Sequence, residues 1–188
     1  MTMRILTTAA LALALTAATP RAAHADWLLT PYLGVTFGGD AEKQQVNYGL
    51  SAAFLGGGIF GIEVDAALTP NFFESDSDLI EDSNVSTLMA NLMVAAPDGA
   101  PLRPYASGGV GIIRYKATSV GNFFDVDDSS FGVNIGGGVL AQVAPKVGIR
   151  GDIRYFRAVQ DSDGGDDLDI DFGSFNFWRG TLGVTFRF

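Results

Sequence analysis

The chain has 188 residues, of which 47% are hydrophobic and 24 are glycine, with no cysteine and a formal net charge of −9 at pH 7. Without cysteine it can form no disulfide, carry no lipid on a lipoprotein cysteine and use no thiol nucleophile. The acidic balance argues against nucleic acid, or an anionic membrane surface, as a partner for exposed parts.

The N-terminus reads as an export signal. Met1 to Arg4 is short and basic, and Ile5 to Ala18 is an unbroken run of apolar and small residues plus threonine. Ala23-His24-Ala25 then places small residues where a signal peptidase needs them. The apolar run is too short for a spanning helix and suits a secretory leader. The expected organisation is a cleaved signal peptide over residues 1–25 and one domain over 26–188. The leader takes Arg4, Arg21 and His24 with it, so the exported domain has no histidine and is more acidic than the whole. No second apolar run reaches helical membrane length, so any membrane span must be built from strands.

Eight segments then alternate with period two. The first shows Leu29, Pro31, Leu33, Val35 and Phe37 on one face and Thr30, Tyr32, Gly34 and Thr36 on the other. The second shows Tyr48, Leu50, Ala52 and Phe54. The third sets Phe60, Ile62, Val64, Ala66 and Leu68 against Gly61, Glu63, Asp65 and Ala67. The fourth sets Leu88, Ala90, Leu92 and Val94 against Thr87, Met89, Asn91 and Met93. The fifth shows Pro104, Ala106, Gly108, Val110 and Ile112. The sixth shows Phe131 to Val143 in alternate positions, opposite Asn134 and Gln142. The seventh sets Val147, Ile149, Gly151, Ile153 and Tyr155 against Arg150, Asp152 and Arg154. The eighth sets Trp178, Gly180, Leu182, Val184, Phe186 and Phe188 against Arg179 and Arg187.

The apolar faces carry no charge. Glu63, Asp65, Arg150, Asp152, Arg154, Arg179 and Arg187 all fall on the opposite face, where cations and anions can pair inside a closed lumen. A soluble barrel would reverse this polarity. Trp27, Phe54, Phe60 and Phe188 lie near the short connections; Phe37, Tyr48, Phe131, Tyr155 and Trp178 lie at the opposite ends, which predicts two aromatic girdles. Short connections fall at residues 55–58, 97–103 and 144–146, and longer ones at 39–47, 69–84, 117–130 and 158–174. Short turns on one side and longer loops on the other are expected of an outer-membrane barrel. The fold class is therefore all-β, an eight-stranded antiparallel up-and-down transmembrane barrel with a polar lumen.

Three stretches carry a family resemblance. Arg103-Pro104-Tyr105 enters a glycine-rich strand through Gly111, and Gly132-Val133-Asn134-Ile135-Gly136-Gly137-Gly138 forms another. The third is the terminal Thr181, Gly183, Phe186 and Phe188. Over essentially the whole exported domain the chain resembles the small outer-membrane β-barrel family that includes the membrane domain of OmpA-like proteins. The resemblance implies a bacterial outer-membrane location. It further implies that the barrel-assembly machinery reads the terminal signal and that periplasmic chaperones act during export. It supplies no catalytic or ligand-binding residues. The chain is expected to end with the barrel, without the peptidoglycan-binding domain of full OmpA-like proteins.

Other features bear on function. The longer loops hold most of the acids, among them Asp40, Glu42, Glu74, Asp76, Asp78, Glu81, Asp82, Asp125, Asp127 and Asp128. Carboxylates keep loops solvated by mutual repulsion, and they also suit divalent cations. Asp161, Asp163, Asp166 and Asp167 are the metal candidates, although Gly165 and Asp166 break the pattern of a calcium-binding helix–loop–helix. Asn71-Phe72-Phe73-Glu74 echoes Asn122-Phe123-Phe124-Asp125, with the rings expected to extend the outer girdle. Gly56-Gly57-Gly58 and Gly136-Gly137-Gly138 precede no helical pattern, so neither cradles a phosphate. Barrel enzymes that modify lipid A need a catalytic histidine, which the exported domain lacks. The expected role is non-enzymatic and cofactor-free. It is that of a monomeric component among outer-membrane lipid and lipopolysaccharide, structural or adhesive through its loops, with a narrow channel as the alternative.

Overall fold

The computed structural model describes residues 26–72, 80–97, 99–119, 125–161, 170–171 and 175–188. The expected secretory leader, with its cleavage residues Ala23 and Ala25, lies outside the described residues. Eight long strands follow one another: β1 (Asp26–Gly38), β2 (Ala41–Gly56), β3 (Phe60–Pro70), β4 (Ile80–Ala95), β5 (Leu102–Ser119), β6 (Asp125–Ala144), β7 (Val147–Asp161) and β9 (Asn176–Arg187). The two-residue β8 (Ile170–Asp171) only extends the end of β7. Each long strand pairs antiparallel with its chain neighbours, and β9 returns to β1, so the sheet closes without a free edge.

The alternation sets the two faces of the wall. In β1, Trp27, Leu29, Leu33 and Val35 are exposed outside while Thr30, Tyr32 and Thr36 are buried inside. β3 repeats this with Phe60, Ile62 and Val64 outside and Glu63 and Asp65 inside. A slip of one residue in β3, β7 or β9 would bring charges onto the outer face, which fixes the register there. The outer rings pair at both ends: Trp27 meets Phe54 at 5.1 Å near the short turns, and Tyr155 meets Trp178 at 5.1 Å at the far end.

The turns explain one glycine run. Gly57 and Gly58 both have positive φ (60° and 70°), and Ile59 N donates to Gly56 O. This is the backbone of a type I′ turn, which glycine adopts without steric cost. The expected long connection at 39–47 is instead a tight hairpin. Gly38 pairs with Ala41, Gly39 takes φ 62°, and β2 starts at Ala41. The alternation of Gln45 inside and Val46 outside already belongs to the strand, but the polar residues around it hid that pattern. β3, β4, β5, β6 and β7 likewise run further toward the loops than the apolar pattern suggested.

One seam is thinner than the rest. The β1–β9 ladder pairs Leu28 with Arg187 and Leu29 with Phe186, then resumes only at Tyr32 and Gly183. Pro31 lies in the gap. Its carbonyl faces β9, since a Cβ on Gly183 would stand 2.6 Å from Pro31 O. Proline has no N–H to donate on that side. Inside the wall, Thr30 Oγ1 and Thr185 Oγ1 bridge the same gap at 2.9 Å.

Candidate functional site

The lumen is filled in three layers. At its centre Glu63, on β3, meets Arg150 Nη2 at 2.5 Å and Arg154 Nη2 at 2.7 Å, both from β7. Ser51 Oγ and Asn91 Nδ2 also donate to it, at 2.9 and 3.0 Å. Asp152 takes Arg154 Nε at 2.8 Å and accepts from the Tyr105 hydroxyl, which itself accepts from Arg150 Nε at 2.7 Å. Asp65 accepts from Arg179 Nη2 at 2.5 Å and from the Tyr32 hydroxyl at 2.8 Å. Three guanidinium groups thus face three carboxylates, so the centre carries no formal net charge. Desolvated charges require that balance together with hydrogen bonds on their remaining atoms.

Period two puts the members of each strand on one side: Glu63 with Asp65, and Arg150 with Asp152 and Arg154. Inward glycines make room for the long groups opposite. A Cβ on Gly49 would lie 2.4 Å from the Tyr32 hydroxyl, and one on Gly136 would lie 2.8 Å from Arg154 Cγ. The second glycine run is thus space for side chains inside a strand.

Apolar layers cover the charges on both sides. Toward the far end, Phe72, Val85, Met89, Ile113, Phe156 and Phe177 pack together, with Tyr115 and Phe175 against them. Phe156 stacks on Phe177 at 4.9 Å, and Arg179 sits over the Phe156 ring at 4.6 Å. Toward the short turns, Leu28, Ala53, Leu55, Met93, Ala95 and Tyr105 form the second layer. The void among Tyr32, Ser51, Asp65, Arg150, Asp152 and Arg154 measures about 10 Å³, on the order of one water molecule.

Of the seven charges read from the sequence, six stand in this centre. Arg187 stands apart, at the short-turn rim, where it pairs with Asp26 at 2.6 Å. Arg103, further in, donates to the carbonyls of Ala96 (3.2 Å) and Gly58. Of the terminal signal, Thr181 lines the central void, Gly183 packs against Thr30 and Tyr32, and Phe186 and Phe188 face outward. Phe188 N donates to Trp27 O at 3.0 Å, which ties the chain end to β1.

Phe72 does not extend the outer girdle as expected. It is 1% exposed and plugs the lumen, because Asn71 turns the chain with φ 52° and Phe72 N bonds back to Ser83 O at 3.2 Å. Phe123 and Phe124 lie outside the described residues, as do Asp163, Asp166 and Asp167; only the backbone of Asp161 is described. Among the described residues no three His, Cys, Asp or Glu side chains gather into a metal-holding group.

Sequence reasoning set Asn134 on the inward face and named Tyr105 only within a family stretch, giving neither a place in the charge network, and it passed over the inward Phe156 and Phe177. Their parity matched the charged face, and attention to charge alone left them out. Asn134 Nδ2 donates to Asn91 Oδ1 at 2.7 Å and links β6 to the Glu63 cluster.

Known proteins share this architecture. Neisserial surface protein A superposes with a TM-score of 0.65 at 16% identity, covering 87% of this chain and 97% of its own. The N-terminal β-barrel domain of Pseudomonas aeruginosa OprF gives 0.58 at 14% identity, over 87% and 97%. Ail, the attachment invasion locus protein of Yersinia pestis, solved with the heparin analogue sucrose octasulfate, gives 0.55 at 18%, over 87% and 99%. These likenesses establish the fold. No curated protein matches the chain in sequence. The family model described as outer membrane protein beta-barrel domain matches residues 8–188, so this chain belongs to that family of bacterial outer-membrane barrels.

Proposed function

We propose that this protein is a non-conducting outer-membrane barrel that acts through its external segments. The observation that carries the reading is Glu63, held between Arg150 and Arg154 with apolar layers above and below. Ions would have to displace these paired charges and both layers at once. Purified barrel in a planar lipid bilayer should give no stepwise openings. Reproducible conductance steps would replace this reading with a narrow channel.

With the lumen closed, contact with the surroundings falls to the ends and the outer wall. The strand ends and connections opposite the termini together hold most of the acidic residues, so they suit cationic or hydrogen-bonding surfaces. They disfavour polyanions of the kind bound in the Ail structure. Deleting residues 162–169 should leave the barrel folded, as shown by heat-modifiable gel mobility, and should lower binding to cells or to a cationic surface. Unchanged binding would remove that segment from the role. The absence of histidine and cysteine from residues 26–188 supports a non-enzymatic role.

A further inference from the structure

The charges at the centre of the lumen fall into two groups. Asp65 joins Arg179 and Tyr32, while Glu63 and Asp152 join Arg150, Arg154 and Tyr105. The void of about 10 Å³ lies between the groups. Tyr32 and Asp65 line it from the first group, Arg150, Asp152 and Arg154 from the second, with Ser51 and Thr181 beside them.

This lining has a donor and acceptors with capacity to spare. Arg154 gives Nε to Asp152 at 2.8 Å, and Nη2 to Glu63 and Asp152 at 2.7 and 3.0 Å. Its Nη1 is buried and has no hydrogen-bond partner among the described residues. A charged donor taken out of water costs free energy unless something accepts from it. Asp65 takes one bond from Arg179 and one from Tyr32, about half of what a carboxylate can accept. The Tyr32 hydroxyl spends its proton on Asp65 and keeps its lone pairs.

We infer that one water molecule is built into this void, where it accepts from Arg154 Nη1, donates to Asp65 and joins the two groups into one network. This rests on the reading of the lumen as closed and adds an occupant to it. The volume admits a single water. Charge excludes an ion, because three guanidinium groups already balance three carboxylates, and a sodium or chloride ion would bring in a buried charge without a partner. An apolar occupant would leave Nη1 unsatisfied. The void of equal size nearer the short turns is lined mainly by Leu28, Leu55, Met93, Ala95 and Leu140, and a lining of that kind stays dry. The apolar layers on either side of the charges hold the water in, so it exchanges only when the wall opens locally.

Oxygen-17 magnetic relaxation dispersion of the barrel refolded in detergent micelles tests the site. Wild type should show a long-lived component. Thr181→Ile, which puts a longer apolar branch against the void, should lower that component by the amplitude of one water, with heat-modifiable mobility retained. If the variant does not fold, wild-type crystals decide, through a density peak within hydrogen-bonding distance of both Arg154 Nη1 and Asp65. An equal component in both folded proteins, or a void without density, would overturn the site. Anomalous scattering at that peak after soaking in rubidium or bromide salts would show an ion and overturn the assignment to water. A dry void in a barrel that gives no conductance steps removes the water alone, whereas conductance steps refute the closed lumen itself.

Discussion

Replacing Glu63 with alanine should cost the barrel about 3–5 kcal/mol, the range for breaking a buried ion pair by removing one partner. The loss does not come from the missing attraction alone. Arg150 and Arg154 are 5% and 2% exposed at their side chains, and both point at the same carboxylate. Without it, three guanidinium groups share two carboxylates in a space that admits about one water. Urea unfolding of protein refolded into lipid vesicles should show a lower midpoint, and the heat-modifiable band should disappear at a lower temperature. Pairing Glu63→Met with Arg154→Met restores charge balance and should recover most of the loss. If Glu63→Ala alone unfolds like wild type, the centre does not hold the barrel together.

The second large effect is steric. Gly138 faces inward on β6, and a Cβ there would stand 2.0 Å from Gly151 O and 2.5 Å from the Tyr105 hydroxyl. Backbone cannot yield as a flexible side chain would, and Tyr105 is held by Arg150 and Asp152. Gly138→Ala should therefore destabilise by about 1–3 kcal/mol. Strand propensity favours the opposite sign, because glycine weakens an ordinary strand. Gly151, which pairs with Val139 on the outward face one position along, has nothing within 4 Å of its own Cβ position. Gly151→Ala should be neutral or stabilising in the same vesicle assay, and a loss equal to that of Gly138→Ala would contradict the steric account.

The wall was legible in the sequence because a barrel in lipid imposes one rule on every strand. From Leu29 to Phe188 the residues read as outward are outward, and Glu63, Asp65, Arg150, Asp152, Arg154 and Arg179 share the lumen. Period-two alternation carries that information locally. What it does not carry is height. Nothing in the spacing says that Arg187 meets Asp26 at the rim while Arg179 reaches Asp65 at the centre, because strand tilt and stagger set which residues from distant strands are level. The lumen contents were read too narrowly for a related reason. Phe156 and Phe177 have the parity of the charged face, but a lumen expected to be polar gives no place to aromatic rings. Strand ends were also hidden. Above the membrane the outward positions need not be apolar, so Ala41 to Val46 looked like loop.

The interrupted ladder at Pro31 gives the cylinder a parting line. A closed sheet with uniform bonding has no preferred place to open, whereas here the junction of the first and last strands has fewer crosslinks than its neighbours. That junction is also where the ring must finally be fastened, since β1 and β9 are the strands farthest apart in sequence. The side-chain latch between Thr30 and Thr185 lies at the same level. The barrel is thus built to come apart where it was last joined, and the rest of the wall can stay intact as a curved sheet while it does so.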